Sequence, residues 1–269
     1  MTLTQYLQHC SASGKAILAV NFYNFETLKG LLMAAKEADS PLILQLSEST
    51  LQYLGIPSAI DMARVALKQF DVQGWIHLDH GSNVEIVRKC LDAGFDSVMI
   101  DASEQPFTEN IRITTEVVKL AAAYGANVEA ELGYIPKLGQ DQKPEFTQPA
   151  DAKHFVEATG VNALAVAIGT AHGFYKSTPH LRIDLLKDIH AVTPAALVLH
   201  GGSGVPDDQL KQAVLNGITK VNLATETKNI FMKTLQQLLA NTDEIDLRKV
   251  FPKAIDAVTQ LVVNKLNAI

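Results

Sequence analysis

The stretch ALAVAI at positions 163–168 is the longest uninterrupted apolar run of the chain. Its six residues suit a parallel β-strand that is covered on both faces, and they are far fewer than the ~18 needed to cross a bilayer. Outward from this run in both directions, short β-rich apolar runs alternate with longer amphipathic stretches, which indicates repeated βα units. With this run as the sixth, the eight predicted strands are 16–20, 42–46, 75–78, 97–100, 127–131, 163–168, 195–199 and 219–221.

The amphipathic stretches predict helices, and glycines follow several of them at the position where a helix ends in the left-handed conformation. The predicted helices are 25–38, 58–69, 84–93, 108–124, 149–158, 181–190 and 206–216, followed by a helical tail from residue 225. Eight βα units in 269 residues favour a (β/α)8 barrel, usually ~250 residues long, over a doubly wound sheet, and no G-x-G-x-x-G turn follows the first strand. The sequence therefore predicts an α/β fold, a single TIM-barrel domain over residues 1–269 with an extended C-terminal helical segment.

Composition excludes several classes of partner. Hydrophobic residues make up 47% of the chain, and 23 Lys and Arg against 29 Asp and Glu give a net charge of −6, so neither nucleic acid nor membrane is expected as a partner. The first 16 residues lack the basic-then-apolar order of a signal peptide, and we expect a cytoplasmic protein. The only cysteines, Cys10 and Cys90, suit a reducing compartment and give no thiolate metal site. Any metal must therefore bind histidines and carboxylates.

Three histidines follow predicted strands at equivalent positions. His80 lies in LDHG after strand three, His172 in GTAHG after strand six, and His200 in HGGSG after strand seven. In such barrels the carboxyl ends of the strands face the catalytic mouth, and three imidazoles with an open fourth position are a common zinc site. A single histidine would more often be structural, but three at one rim favour a metal. We interpret the others as structural, His77 because strand alternation should turn it away: His9, His77, His154, His180 and His190.

Carboxylates gather at the same predicted rim. Asp79 directly precedes the first histidine, Asp101 ends strand four, and Glu129 and Glu131 alternate on strand five, so both should point to the same side. A carboxylate beside a metal can orient a ligand, bind the ion or move a proton. Asp79 is the best candidate for proton transfer, and its alternative role is to orient an imidazole.

Two small-residue loops predict a phosphate site. GGSG at 201–204 follows strand seven and NLAT at 222–225 follows strand eight, the two loops that commonly hold phosphate in such barrels. Lys176 could add a positive charge, and the alternative is that GGSG forms only a flexible turn. The proline-containing loop 133–148 predicts either an active-site lid or an ordinary surface loop.

At these residues the chain resembles the class II, metal-dependent ketose-bisphosphate aldolases, the family of the fructose- and tagatose-1,6-bisphosphate enzymes. The resemblance runs nearly end to end. The motifs that carry it are LDHG at 78–81, SVMID at 97–101, VEAELG at 128–133, AIGTAHG at 167–173, LHGGSG at 199–204 and KVNLAT at 220–225.

The resemblance implies zinc as the catalytic ion. It makes His80, His172 and His200 the zinc ligands and places Glu131 and Asp101 near a second position that the metal can visit. It also implies a monovalent cation, sodium or potassium, at a separate site that backbone groups in the loops after strands six and seven would form.

The resemblance also implies the roles of residues around the substrate. Asp79 becomes the acid and base on the hydroxyl at carbon four of the ketose. Backbone groups of Ala171, Gly173 and Gly201 would bind the monovalent cation. The positions that match the phosphate-binding or substrate-binding ones of the family are Asn21, Ser47, Gly173, Lys176, Gly201, Ser203, Asn222 and Thr225.

The implied reaction is a retro-aldol cleavage of a ketose phosphate into dihydroxyacetone phosphate and an aldehyde, without a Schiff base. A lysine-based mechanism is disfavoured because the one lysine predicted inside the barrel, Lys220, stands at the start of its strand. A homodimer or homotetramer is expected from relatives. A non-catalytic phosphosugar-binding barrel and a metal-dependent lyase acting on a deoxy-keto-acid phosphate are the alternative functions.

Two departures from the family concern the substrate. The loop after Gly133 lacks the acidic residue that returns a proton in relatives, so Asp141, Tyr134 or water is expected to replace it. The chain also lacks the basic C-terminal tail that helps to bind the distal phosphate of the ketose. A 6-deoxy-6-sulfo-ketose 1-phosphate such as 6-deoxy-6-sulfofructose 1-phosphate, cleaved to sulfolactaldehyde, is therefore one candidate substrate, with Lys137 near the sulfonate. Fructose or tagatose 1,6-bisphosphate, cleaved to glyceraldehyde 3-phosphate, is the alternative.

Overall fold

The computed structural model describes residues 1–136, 145–173, 175 and 177–269. Eight parallel strands form a closed barrel in which each strand pairs with the next and β8 pairs with β1. The predicted (β/α)8 fold is thereby confirmed. The strands are β1 (Ile17–Asn21), β2 (Leu42–Ser47), β3 (Gly74–Gly81), β4 (Ser97–Ile100), β5 (Asn127–Leu132), β6 (Ala163–Val166), β7 (Ala196–Leu199) and β8 (Ile218–Leu223).

Helices surround the barrel, and their predicted positions agree with the structure to within a few residues. The helical tail consists of two helices separated by residues 240–246. The helices of the described residues are α1 (Leu3–Ser13), α2 (Phe25–Glu37), α3 (Glu48–Leu54), α4 (Ile56–Phe70), α5 (Val84–Asp92), α6 (Phe107–Ala122), α7 (Pro149–Thr159), α8 (Ile183–Val192), α9 (Asp207–Leu215), α10 (Thr225–Leu239) and α11 (Leu247–Leu266).

Two helices, α1 and α3, are absent from the sequence prediction. A signal for α1 was present: Thr2 and Gln5 form a capping box in which the Thr2 side chain accepts from the backbone N–H of Gln5. The helix α3 is only seven residues long and follows β2 directly, so it is too short to show a helical repeat of apolar residues in the sequence.

The strands are buried on both sides because helices cover their outer faces and side chains fill the barrel. At the lower end of the barrel, Leu3 and Leu7 of α1 belong to one apolar cluster with Ile43 and Trp75. Polar side chains are also buried inside the barrel, and Asn21, Asp79, Glu131, His200 and Asn222 lie at or near the C-terminal ends of the strands. That end of the barrel is where the chemistry is concentrated.

The last helix closes the outer ring against α2. A Cβ atom on Gly30 would lie 2.8 Å from Cγ1 of Val258, so glycine permits the close approach of the two helices. Thr259 also donates a hydrogen bond to the carbonyl of Gly30 over 3.2 Å. In the described part of the chain, no helix has the length and apolar character to span a membrane.

Candidate active site

A cavity of about 430 Å³ opens at the C-terminal end of the barrel. Most of the site residues predicted from the sequence line its wall. Those residues are Asn21, Asp79, His80, Asp101, Glu131, His172, Gly173, Gly201, Ser203, Asn222 and Thr225.

The three predicted histidine ligands come together at this cavity: His80 and His172 line it, and His200 is buried beside them. The ring centroids of His80 lie 5.0 Å from His172 and 4.8 Å from His200, and those of His172 and His200 are 5.7 Å apart. One nitrogen from each ring falls within 4.8 Å of the other two. Such an arrangement can hold one divalent cation.

The backbone of β3 explains how His80 enters this group. His80 has a positive φ of 52°, and the pairing of β3 with β4 shifts register between Leu78 and Gly81. Strand alternation therefore ends before His80, and the left-handed residue turns its ring towards the cavity. The expectation that His77 points away was wrong for the same reason: His77 lies fully buried inside the barrel, below the cavity.

Hydrogen bonds determine which nitrogen of each ring faces the centre. His80 Nδ1 lies 2.7 Å from Asp101 Oδ2, and His200 Nε2 lies 2.8 Å from Glu129 Oε1. Each carboxylate accepts a hydrogen bond from its ring, so the other nitrogens, His80 Nε2 and His200 Nδ1, face each other 3.1 Å apart. A proton on His80 Nε2 can bridge the two nitrogens, and a metal ion can take the place of that proton. The donor set therefore fits a cation.

The surroundings of His172 and His80 shift the pKa values of the two rings in opposite directions. Burial lowers the pKa of His172 to about 3, and the neighbouring His200 acts in the same direction. Burial would also lower the pKa of His80, but the carboxylates of Asp79 and Asp101 raise it to about 9. The carboxylates thus stabilise positive charge at His80.

A second group of ligands adjoins the histidines. Side chains of His80, Asp101 and Glu131 offer ligand atoms within 4.8 Å of one another. Glu131 Oε2 is buried without a hydrogen-bond partner and lies 3.6 Å from His200 Nδ1. Burial and the nearby charge of Asp101 raise the pKa of Glu131 to about 8. An unpartnered buried carboxylate oxygen is costly, and a cation would satisfy it.

Asp79 is buried and held by one amide side chain, which a second amide holds in turn. Asn21 donates to Asp79 Oδ2 over 2.9 Å, and Gln45 donates to Asn21 Oδ1 over 3.1 Å. The other oxygen, Oδ1, is buried without a hydrogen-bond partner. Burial acts to raise the pKa of Asp79, but the charges of His80 and His200 outweigh it and hold the pKa below its usual value. Asp79 is therefore an ionised carboxylate, and its Oδ1, 3.9 Å from His80 Nε2, can still accept a hydrogen bond, as a base requires.

Hydrogen bonds join the loops after β7 and β8, which form another part of the cavity wall. Gly202 N–H donates to the carbonyl of Asn222 over 3.0 Å, and Ser203 Oγ accepts from the backbone N–H of Glu226 over 3.3 Å. Gly201 has a φ of +68°, and a Cβ there would collide with the carbonyl of Ala171. Backbone N–H groups at the start of α10 lie beside these loops, so an anion can bind there.

Tyr175 links the loop after β6 to the loop after β7. Its hydroxyl accepts from the backbone N–H of Ala171 over 2.7 Å and donates to the carbonyl of Gly201 over 2.9 Å. Burial raises the pKa of this phenol to about 12, so it remains a donor. Sequence reasoning did not single out Tyr175 because a tyrosine in a loop carries no distinctive pattern.

Some predicted residues lie elsewhere. Ser47 is not among the described residues that line the cavity; its hydroxyl lies 3.1 Å from those of Ser49 and Thr50. Lys176, Lys137 and Asp141 lie outside the described residues, as do residues 137–144 of the predicted lid. The histidines interpreted as structural, apart from His77, are exposed on the surface: His9, His154, His180 and His190.

The cavity also includes residues that the sequence did not indicate. Gln45 lies midway along β2 and contacts Asn21, and Ile135 follows β5 beside the predicted Tyr134. The loop after β4 contributes residues 102–105. Gln45 could have been found by extending the strand alternation back from Ser47, because both residues share a face of β2.

Comparison with known proteins identifies the family of the chain. All of residues 1–269 match the family described as fructose-bisphosphate aldolase class-II. The chain belongs to this family. Class II aldolases are aldehyde-lyases, and the resemblance seen in the sequence motifs is confirmed.

The fructose-bisphosphate aldolase of Geobacillus stearothermophilus is 37% identical over 273 residues, which cover 99% of this chain and 95% of that protein. The probable fructose-bisphosphate aldolase of Bacillus subtilis (strain 168) is also 37% identical, over 99% of this chain and 96% of its own.

Solved structures of aldolases have the same fold. The YdjI aldolase from Escherichia coli K12 superposes with a TM-score of 0.89 at 32% identity, covering 99% of this chain and 96% of that one. A putative fructose-1,6-bisphosphate aldolase from Coccidioides immitis gives a TM-score of 0.90 at 28% identity, over 98% of this chain and 94% of its own. The chain thus spans nearly the full length of these relatives.

Proposed function

We propose that this chain is a zinc-dependent aldolase that reversibly cleaves a ketose 1-phosphate or 1,6-bisphosphate to dihydroxyacetone phosphate and an aldehyde. The observation that carries the proposal is the convergence of His80, His172 and His200, each with one ring nitrogen within 4.8 Å of the other two. Asp79 lines the same cavity, and its Oδ1 lies 3.9 Å from His80 Nε2. A metal-assisted carbon–carbon lyase requires a metal site with a base beside it.

His80, His172 and His200 are the residues that would hold zinc, and Asp101 and Glu131 would form the second position with His80. When bound, zinc polarises the ketose carbonyl and stabilises the negative charge that develops as the carbon–carbon bond breaks.

Asp79 accepts the proton of the hydroxyl at carbon four. The bond between carbons three and four then breaks, carbon four becomes the aldehyde, and the electron pair stays on the dihydroxyacetone phosphate half as an enediolate. Proton return to carbon three completes the cleavage. Tyr134 lines the cavity and is our candidate for this acid among the described residues. A Tyr134→Phe variant with an unchanged rate would leave Asp141 or water as the source.

The loops after β6, β7 and β8 bind the phosphate next to the ketone. Backbone N–H groups and the hydroxyls of Ser203 and Thr225 supply donors, with Gly173 and Asn222 in the same wall. Lys176 adds positive charge in this proposal, and the carbonyls of Ala171, Gly173 and Gly201 bind a sodium or potassium ion.

The distal end of the substrate is the least defined part of the proposal. The names of the relatives favour fructose 1,6-bisphosphate. A sulfo-ketose 1-phosphate is the second candidate, because the described lining of the cavity includes Asp101, Glu104 and Glu131 but neither lysine nor arginine. Such a lining suits a distal group other than a doubly charged phosphate, in agreement with the altered loop after β5.

The test is a cleavage assay with purified protein. Fructose 1,6-bisphosphate, tagatose 1,6-bisphosphate and 6-deoxy-6-sulfofructose 1-phosphate are compared by release of dihydroxyacetone phosphate, before and after a chelator removes zinc. Zinc-dependent release from any of the three supports the aldolase. A strong preference for either bisphosphate removes the sulfo-ketose. Zinc-independent binding of these sugars without cleavage would favour a non-catalytic phosphosugar-binding barrel. Sedimentation of the same sample tests the expected homodimer or homotetramer.

A further inference from the structure

A buried ion pair lies inside the barrel directly below the cavity. Lys220, on β8, is 1% exposed, and its Nζ lies 2.6 Å from Oε2 of Glu129 on β5, which is also 1% exposed. Removing two charges from water costs several kcal/mol per ion unless they are paired and hydrogen-bonded. The reaction assigns no step to either residue. We therefore asked what else this pair contacts.

The second oxygen of Glu129 contacts the metal site. Glu129 Oε1 accepts from His200 Nε2 over 2.8 Å, so Glu129 bridges Lys220 and His200. This hydrogen bond keeps the proton of His200 on Nε2 and leaves Nδ1 as an acceptor facing His80. The orientation of the ring therefore depends on where the carboxylate of Glu129 is held.

Lys220 is itself fixed from below. Its Nζ lies 3.4 Å from Nε2 of His77, and His77 Nδ1 lies 2.8 Å from Ser97 Oγ. An ammonium can only donate, so His77 accepts at Nε2 and donates at Nδ1. Burial lowers the pKa of His77 to about 3, which keeps the ring neutral. Asn127 and then Thr4 of α1 continue the chain of hydrogen bonds to the floor of the barrel, over 3.1 Å each.

We propose that Lys220 is a positioning residue for the metal site: by holding and neutralising Glu129, it keeps His200 in the orientation and tautomer that present Nδ1 to the ion. Without Lys220, Glu129 would be an uncompensated buried charge that must move, take up a proton or draw in water. Each of these changes alters the partner of His200 Nε2. Partners of this kind commonly change metal affinity by ~10–100-fold when mutated.

The inference rests on the proposed function only in naming zinc as the ion. The alternative is that the pair stabilises the core and does nothing specific for His200. The two differ in what happens when both charges are removed together. In the double variant Lys220→Met with Glu129→Gln, the amide oxygen of the new side chain can still accept from His200 Nε2, and no charge is left unpaired.

The experiment measures zinc affinity of purified variants by competition with a chromophoric chelator, alongside kcat and KM. We expect Lys220→Met to bind zinc ~10–100-fold more weakly than the wild type, and the double variant to recover most of that loss. The control is Thr259→Val, which removes the buried hydrogen bond between α11 and the carbonyl of Gly30 in the outer ring of helices and should leave zinc affinity unchanged. Circular dichroism establishes that each variant is folded.

Zinc affinity of folded Lys220→Met within twofold of the wild type would overturn the positioning role. If Lys220→Met does not fold, Glu129→Gln and the double variant decide. Weaker zinc binding by Glu129→Gln, restored in the double variant, supports the role; equal affinities in all folded variants overturn it. A wild-type chain that binds zinc but cleaves no ketose phosphate would remove the proposed function alone, because the affinities are measured without substrate.

Discussion

Asn21 donates a hydrogen bond from Nδ2 to Oδ2 of Asp79 over 2.9 Å, and the other oxygen of the carboxylate, Oδ1, lies 3.9 Å from His80 Nε2. Oδ1 is buried without a hydrogen-bond partner. The amide of Asn21 is held in turn by Gln45. Asp79 is thus held at one oxygen, and the other can still accept a hydrogen bond, which is what a base needs before a substrate hydroxyl arrives.

The first prediction concerns Asp79 itself. We expect Asp79→Ala to keep its zinc, because the three histidines remain, and to lose ~10²–10⁴-fold in kcat, the usual contribution of a positioned proton-transfer group. Metal analysis of the purified variant and a coupled assay for dihydroxyacetone phosphate measure both quantities. An Asp79→Ala enzyme that turns over at nearly the wild-type rate would refute the assigned role.

A second prediction concerns the support of Asp79. Gln45→Leu removes the donor that holds Asn21, so we expect kcat to fall while zinc content stays at the wild-type level. The decrease should be smaller than in Asp79→Ala, because the base is still present but less well oriented. Steady-state kinetics of the two variants side by side test this order. A larger loss in Gln45→Leu would contradict it.

Loss of a ligand should remove the metal. We expect His172→Ala to be purified with little zinc and to show little cleavage, and added zinc should restore activity only weakly. His180→Ala is the matched control, because His180 is exposed on the surface and does not line the cavity. Both are measured by metal analysis after dialysis. Equal zinc contents in the two variants would place the metal elsewhere.

Glycine at 201 should be required for the phosphate loop. Gly201→Ala faces both a positive φ of +68° and a collision with the carbonyl of Ala171, so we expect a raised KM and lower stability. Gly14→Ala is the control, since Gly14 has a similar φ of +62° but no atom within 4 Å of the added Cβ. Thermal unfolding of both variants separates backbone strain, ~1–2 kcal/mol, from the collision. A Gly201→Ala loss no larger than that of Gly14→Ala would contradict the close approach.

The two cysteines should react slowly in the folded protein. Burial raises the pKa of Cys10 to about 11 and that of Cys90 to about 12. At pH 8 both thiols are therefore almost entirely protonated, and the thiolate is the reactive form. We expect alkylation by iodoacetamide, followed by mass spectrometry, to be much slower in buffer than in urea. Rapid labelling of the native protein would show that one of them is accessible.

The sequence predicted the barrel and the residues at its rim for one shared reason. Parallel strands that are covered on both faces give continuous apolar runs, and polar residues just after those runs stand out against them. His172 and His200 are visible in this way, as is Asp79. The geometry around them supports the predicted roles, which the variants above test.

The interior of the barrel was harder to predict. Lys220 and Glu129 meet across the barrel from strands 91 positions apart, and only the closure of the sheet brings them together. The register of the sheet also places His77 on the inner face of β3. The irregularity after Leu78 could not be anticipated from strand alternation. Ser47 illustrates the converse case, because its position at a strand end does not bring it into the described wall of the cavity.

The filling of the barrel below the cavity has a kinetic consequence. Because Glu129, Lys220 and His77 are buried there and joined across the barrel, the cavity has one opening, and the sugar enters where both fragments leave. A fragment that stays bound therefore prevents the next sugar from binding. Dihydroxyacetone phosphate should inhibit cleavage competitively with the ketose, and its departure can limit turnover when the chemistry is fast.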